Sequence, residues 1–289
     1  MAMRALQSQQ RSAEKLLVCG GGGTGKTRGI MDVIKTSLLP GQTARVVDNE
    51  GALPIHLEAA GMGCREEWVS TGVANGHAQW ERVPEWEDPD SNIVRWFCQD
   101  WYSHREAIGK VCADGTRGDW GFIDTISQPW EDVQAWYVGK ITGGTDLGDW
   151  LVENRVNQIE ANKGNDGGGG AMLGEWKPIN AQWKDYIRNP IIRSKSHLYI
   201  ASHIKAINTE RDSADVRALW KGLGFKADCQ KAVPRDVRTV LGLEENRGAG
   251  GGWKVTSVKD WERGLLLRTD LKTIPVTYLM GVAGWKMGR

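Results

Sequence analysis

Gly20-Gly21-Gly22-Gly23-Thr24-Gly25-Lys26-Thr27 fits the pattern GxxxxGK[ST] in full. Each residue type has a use in holding a phosphate chain. Glycines let backbone N–H groups approach and wrap an anion without a Cβ in the way. Lys26 supplies positive charge to the β- and γ-phosphates of a nucleotide such as ATP, and Thr27 supplies a hydroxyl to its Mg²⁺. A helix starting at Lys26, with Arg28 in its first turn, points its positive dipole end at the same anion. Two acidic clusters lie further on, Asp48-Asn49-Glu50 and Asp124. One acid suits the water shell of Mg²⁺, and a second carboxylate can orient and activate an attacking water. The plainer role for either acid is to cap a helix or turn. Ser202-His203, with Lys205 beyond, adds a third polar cluster.

These groups recur at one kind of place. Leu16-Leu17-Val18-Cys19 is a short apolar run before the glycines, and a helical stretch follows to about Leu39, stopped by Pro40-Gly41. Ala44-Arg45-Val46-Val47, Trp120-Gly121-Phe122-Ile123 and Ser196 to Ala201 read as further strands, each ending in polar residues. Helical stretches are expected from Pro129 to about Asn162 and over 179–189, and strands over Val237–Leu243 and Trp253–Val258. The middle of the Trp-rich stretch 64–118, from Ser91 to Val111, has room for a helix. Strands alternating with helices imply an α/β domain around a mostly parallel sheet, which binds ligands at the carboxyl ends of its strands. Glycine clusters at 164–170 and 248–252 read as loops.

Composition narrows the classes. The chain has 289 residues and a formal charge of +1, which argues against a basic DNA-coating protein or an acidic disordered tail. It leaves a local basic groove open. At 40% apolar and 25% charged residues, the chain reads as an ordinary globular domain. Cys19, Cys64, Cys98, Cys112 and Cys229 are odd in number and lack a CxxC pair, so neither a disulfide framework nor a zinc spacing is expected. With no signal-like or membrane-spanning run, a cytoplasmic protein without membrane contact is expected. The 15 tryptophans, against 3 phenylalanines, read mostly as core or subunit-contact residues.

The phosphate loop followed by Asp48-Asn49-Glu50-Gly51-Ala52-Leu53 resembles the RecA family of recombinases. In that family a strand ends in an Asp-x-Glu-x-Ala-Leu segment, and a later strand ends in Asp-Ser or Asp-Thr, here Asp124-Thr125. The pattern is most similar to phage-encoded RecA-like ATPases, including minimal single-strand-annealing recombinases. Lys226 to Pro234 adds a weaker likeness, and the resemblance spans about residues 15–265. It implies a RecA-like P-loop fold, one ATPase domain over 1–289 with an inserted Trp-rich segment at 64–118, and C-terminal strands and tail over 235–289. It also implies that Glu50 is the water-activating base, Asp124 the metal-holding acid and His203 the sensor of the γ-phosphate. Lys259 matches the first of two lysines that reach a neighbouring subunit's nucleotide in the family. Trp261 stands where the second is expected, with Arg263 as a substitute.

The family's DNA-binding loops correspond to the glycine loop near 163–176 and to residues 204–234. Lys205, Arg211, Arg217, Lys221, Lys226 and Lys231 lie in the latter with Trp220 and Phe225, a mixture suited to phosphates and stacked bases. A solvated basic surface over two core aromatics reads the same residues more plainly. The expectation is an ATP-hydrolysing, Mg²⁺-dependent enzyme acting on single-stranded DNA in recombination, repair or replication, assembled as a homo-oligomeric ring or filament. The alternative is a P-loop ATPase that remodels or gates a protein partner, contacted through 64–118. A small-molecule kinase fits less well, because no Arg-rich lid stands out.

Overall fold

The computed structural model of the protein describes residues 13–38, 41–84, 87–116, 118–143, 176–210, 212–245, 253–260 and 268–271. The glycine clusters at 164–170 and 248–252, Arg211, Trp261, Arg263 and the expected helix beyond 143 lie outside the described residues.

The apolar runs form the centre of one sheet. Strand β1 (Lys15–Gly20) is wholly buried and leads through the glycine loop into α1 (Lys26–Ser37). Strand β2 (Ala44–Asp48) is followed by the short α2 (Leu53–Glu58). The Trp-rich segment then adds a hairpin, β3 (Glu66–Ala74) and β4 (His77–Arg82), a strand β5 (Ile93–Phe97), and α3 (Trp101–Ala113). The helix expected over Ser91–Val111 is thus divided. Ile93–Phe97 is strand, because apolar and β-branched residues there pair with β2 and β3. The helix starts only after Asp100, whose carboxylate accepts the Ser103 N–H at 2.9 Å in a reciprocal capping box.

After β6 (Trp120–Asp124) and α4 (Ser127–Thr142) come α5 (Trp176–Trp183), a π-helical turn (Lys184–Arg188) and α6 (Asn189–Arg193). Strand β7 (His197–Ser202) precedes a small antiparallel pair, β8 (Ile204–Ala206) and β9 (Phe225–Ala227), which brackets α7 (Ala214–Leu219). The short α8 (Val233–Asp236) leads to β10 (Thr239–Glu245), β11 (Trp253–Asp260) and β12 (Arg268–Leu271).

Among the described residues, ten strands form one sheet in the order β12-β11-β10-β1-β7-β6-β2-β5-β3-β4. The run from β10 to β3 is parallel, and the antiparallel pairs lie at the two margins. Apolar side chains fill both faces. One cluster joins Leu17, Val47, Ile123 and Ile200 to α3, α4 and α5, and the other joins Leu16, Val18, Phe122 and Tyr199 to α1. Trp101, Trp120 and Trp183 are fully buried, so much of the tryptophan content is core. In the centre of the sheet, β7 separates the phosphate-loop strand β1 from the acid-bearing strand β6, and β2 flanks β6 on its other side. The result is an α/β sheet, mostly parallel and flanked by helices. No described helix is long and apolar enough to cross a membrane.

Candidate nucleotide site

The strand order brings the polar strand ends together. Gly20 closes β1 where no Cβ fits: one would lie 2.3 Å from Thr24 Oγ1. Gly25, at φ 84°, makes the left-handed turn into α1. The N-terminus of α1, with Gly25 at the cap position, has no side-chain cap, which leaves its first N–H groups without a side-chain acceptor. Lys26 is buried, and its Nζ donates to Gly20 O at 3.0 Å and Gly21 O at 2.9 Å. Burial lowers the Lys26 pKa, and the nearby Asp124 and Glu50 charges oppose the shift. Tyr199 on β7 fixes the start of α1 by donating its hydroxyl to Lys26 O at 3.1 Å.

Thr27 Oγ1 donates to Asp124 Oδ2 at 2.8 Å. The other carboxylate oxygen, Asp124 Oδ1, is buried with no hydrogen-bond partner among the described residues. Burial pushes the Asp124 carboxyl up to about 6; the Thr27 bond pulls it back, and Asp48 and Glu50 push it further. An ionisable oxygen without a partner, beside a threonine hydroxyl, suits a hard divalent cation and its water shell. Thr27 and Asp124 therefore fit Mg²⁺, and the loop Gly20–Thr27 fits a polyphosphate. Arg28 is exposed on α1, where its charge acts on Asp32.

Glu50 and His203 meet across the site, with Glu50 Oε1 and His203 Nε2 2.5 Å apart. Each is about two-fifths exposed. The bond lowers the Glu50 pKa and raises that of His203, so the pair favours carboxylate and imidazolium. Around them the backbone is pinned. His203 N donates to Ser127 Oγ at 2.9 Å, Ser127 Oγ meets Ser202 Oγ at 3.3 Å, and Asn49 N donates to Asp124 O at 2.8 Å. The Asp124–Thr125 peptide is cis.

The structure thus gathers Lys26, Thr27, Glu50, Asp124 and His203 at one end of the sheet. The remaining cations singled out in the sequence stand elsewhere. Lys259 Nζ donates to Pro234 O, Arg235 O and Val237 O, at 3.0, 2.7 and 2.6 Å, and so braces the end of α8. Lys205 pairs with Asp228, Lys226 with Asp212, and Arg217 donates to Thr209 O. Lys221 is exposed. Sequence reasoning missed Asp48, which is fully buried and bonds Arg95 rather than facing the phosphate loop. Arg95 inside the apolar run Ile93–Phe97 was the available signal, since a charge in a buried strand needs a partner.

No protein-family model matches the chain, and no curated protein matches it. Among solved structures, the crystal structure of the RadB recombinase is similar, with a TM-score of 0.42 and 13% identity, over 91% of this chain and 90% of that one.

Proposed function

We propose that the protein binds and hydrolyses ATP with Mg²⁺, and couples hydrolysis to single-stranded DNA in recombination, repair or replication of the kind phages carry out. The convergence of Thr27–Asp124 and Glu50–His203 at the mouth of the Gly20–Thr27 loop carries this reading. Lys26 neutralises charge on the β- and γ-phosphates. Thr27 and Asp124 would hold Mg²⁺, which would supply electrostatic stabilisation of the phosphoryl group. The carboxylate of Glu50, kept ionised by His203, aligns a water and accepts its proton. The γ-phosphate competes with Glu50 for the imidazolium of His203, so an occupied site releases the base for the water. His203 thereby senses the γ-phosphate.

The sensor is tied to the segment 204–236, because Asp228 N donates to His203 O at 2.8 Å. Beside that segment lies an open cleft of about 570 Å³ whose lining includes Trp130, Trp176, Lys177, Lys205, Lys226 and Arg235. The Trp130 and Trp176 rings stack at 6.1 Å. Cations beside a partly exposed aromatic pair suit a single strand, and this supports a DNA role for Lys205, which lines the cleft, while Arg211, Arg217 and Lys221 are proposed only as neighbours in the same stretch of sequence. We further read 1–289 as one ATPase domain that assembles into a homo-oligomer on binding nucleotide, with Lys259 or Arg263 as candidate contacts to a neighbour.

The test is the ATP turnover rate with and without single-stranded DNA at low salt, beside the assembly mass with a non-hydrolysable analogue. The expected result is turnover that rises with DNA and a larger assembly with the analogue. Turnover indifferent to DNA, with no DNA complex, rejects the DNA role. A protein partner bound through 64–118 then becomes the better reading.

A further inference from the structure

Arg95 is a guanidinium buried in the middle of β5, at 4% exposure. Its Nε and Nη2 both donate to Asp48 Oδ2, at 3.0 and 2.8 Å, and its Nη1 donates to Glu67 Oε1 on β3. The second oxygen of Asp48, Oδ1, accepts the N–H groups of Glu50 at 3.2 Å and Gly51 at 2.9 Å. A continuous chain of bonds therefore runs from Glu67 through Arg95 and Asp48 to the backbone that carries Glu50.

A buried ion pair alone is weak evidence of a stability role, since apolar residues of similar volume often serve as well. What this chain holds in place is specific. Asp48 ends β2, and the backbone beyond it must turn sharply, with Gly51 at φ 67°. Both N–H groups of that turn close on one carboxylate oxygen, and the guanidinium fixes the rotation of that carboxylate. Glu50 itself is well exposed, so its direction depends on the turn and on His203.

We propose that Arg95 is a positioning residue for ATP hydrolysis: anchored by Glu67, it clamps Asp48 so that the turn 48–51 aims Glu50 at the attacking water. The inference rests on the ATPase reading above. Among the described residues Arg95 makes its side-chain bonds to Asp48 and Glu67 and none to the phosphate loop, so loosening it acts on the chemical step and spares nucleotide binding.

The experiment is steady-state ATP hydrolysis by the full chain, with nucleotide affinity measured separately. It compares wild type, Glu50→Gln, Arg95→Lys, Glu67→Gln and the combined Asp48→Asn/Glu67→Gln/Arg95→Met. Arg95→Lys keeps a charge and loses the two-pronged fork; kcat falls roughly 10- to 100-fold while KM and Kd stay within about twofold. Glu67→Gln, a milder variant in case Arg95→Lys does not fold, lowers kcat about threefold at unchanged KM. The combined variant removes all three charges, and the amide oxygen introduced by Asp48→Asn can still accept both N–H groups, so it regains most of the lost rate. Wild-type kcat in Arg95→Lys or Glu67→Gln, with Glu50→Gln inactive, overturns the positioning role alone. Equal damage to KM and kcat, or no recovery in the combined variant, overturns it too. A wild-type chain that does not hydrolyse ATP, or a fully active Glu50→Gln, instead sinks the ATPase reading on which the proposal rests.

Discussion

The two ends of the sheet each hold a buried lysine, and β1 connects them: Lys15 begins the strand and Lys26 follows the loop at its end. Both amines donate to two backbone carbonyls, Lys15 to Ser194 O at 2.9 Å and Ser196 O at 2.7 Å, Lys26 to Gly20 O and Gly21 O. Burial lowers both, Lys15 to about 8. Their surroundings differ. At the amino end the polar groups are saturated by one another. Asp119 takes Arg45, the N–H groups of Thr43 and Thr116, and the Thr116 hydroxyl, and His197 accepts the Glu14 N–H. At the carboxyl end one oxygen of Asp124 is buried without a partner, and Glu50 and His203 are well exposed to an arriving ligand. A buried charge does not by itself mark a site. Unspent bonding capacity at the carboxyl ends of the strands does.

The sharpest way to break this contrast is to remove the Glu50 carboxylate, the proposed base. Glu50→Gln should lower ATP turnover by roughly 10²- to 10⁴-fold, the usual worth of a general base, with nucleotide affinity preserved. Full activity in that variant, measured by phosphate release, would reduce the carboxyl-end cluster to a binding site. The matched pair of lysines comes next. Lys26→Met should weaken nucleotide binding roughly 10- to 100-fold, the loss expected when charged hydrogen bonds to phosphate disappear. Lys15→Met should leave binding and turnover alone. It strands two buried carbonyls instead, at a cost of about 1–3 kcal/mol, seen as a melting temperature lower by a few degrees. Nucleotide titration and thermal unfolding of both variants check the pair; equal effects on binding would erase the distinction between the two ends.

The strand–loop–helix setting of residues 20–27 was legible because the eight residues are contiguous and sit between an apolar run and a helix. Glu50 and Asp124 were visible as acids at strand ends. The division of labour within Asp48-Asn49-Glu50 was not, because it depends on register. Asp48 lies beside Asp124 across the β2–β6 ladder, yet its carboxylate turns to Arg95 on β5. That partner comes from a strand joined to the sheet by pairings remote in sequence. The 64–118 segment was opaque for a related reason. Strand β3 alternates buried and exposed residues only in part, and the hairpin becomes recognisable only once it pairs along the margin of the sheet. The cations of 204–234 read as free charge in sequence, whereas the interspersed Asp212 and Asp228 hold two of them. Lys259 shows the same limit, since no local pattern foretells an ammonium turned back onto three carbonyls.

The smallest effect concerns the amino end alone. His197 is held neutral: burial, aided by the Lys15 charge, lowers its pKa from 6.5 to about 4, and Nδ1 accepts the Glu14 N–H at 3.0 Å. Between those values the unfolded chain binds a proton that the folded chain refuses, so stability falls as pH drops from 6.5 towards 4. At about 1.4 kcal/mol per decade, acidification to pH 5 costs about 2 kcal/mol through this group, or roughly 4 °C in melting temperature. Other groups contribute to acid sensitivity, so the readout is a difference. His197→Asn retains a side-chain oxygen able to accept the Glu14 N–H and cannot take up the proton. Its melting temperature should therefore fall less than the wild type's between pH 7 and pH 5, with ATP turnover at pH 7 unchanged. Parallel acid profiles for the two proteins would show that the proton is accommodated at this end after all, and that the saturation argued for the amino end is incomplete. A change in turnover instead would mean that the two ends communicate along β7, which runs from His197 to Ser202, one residue before His203.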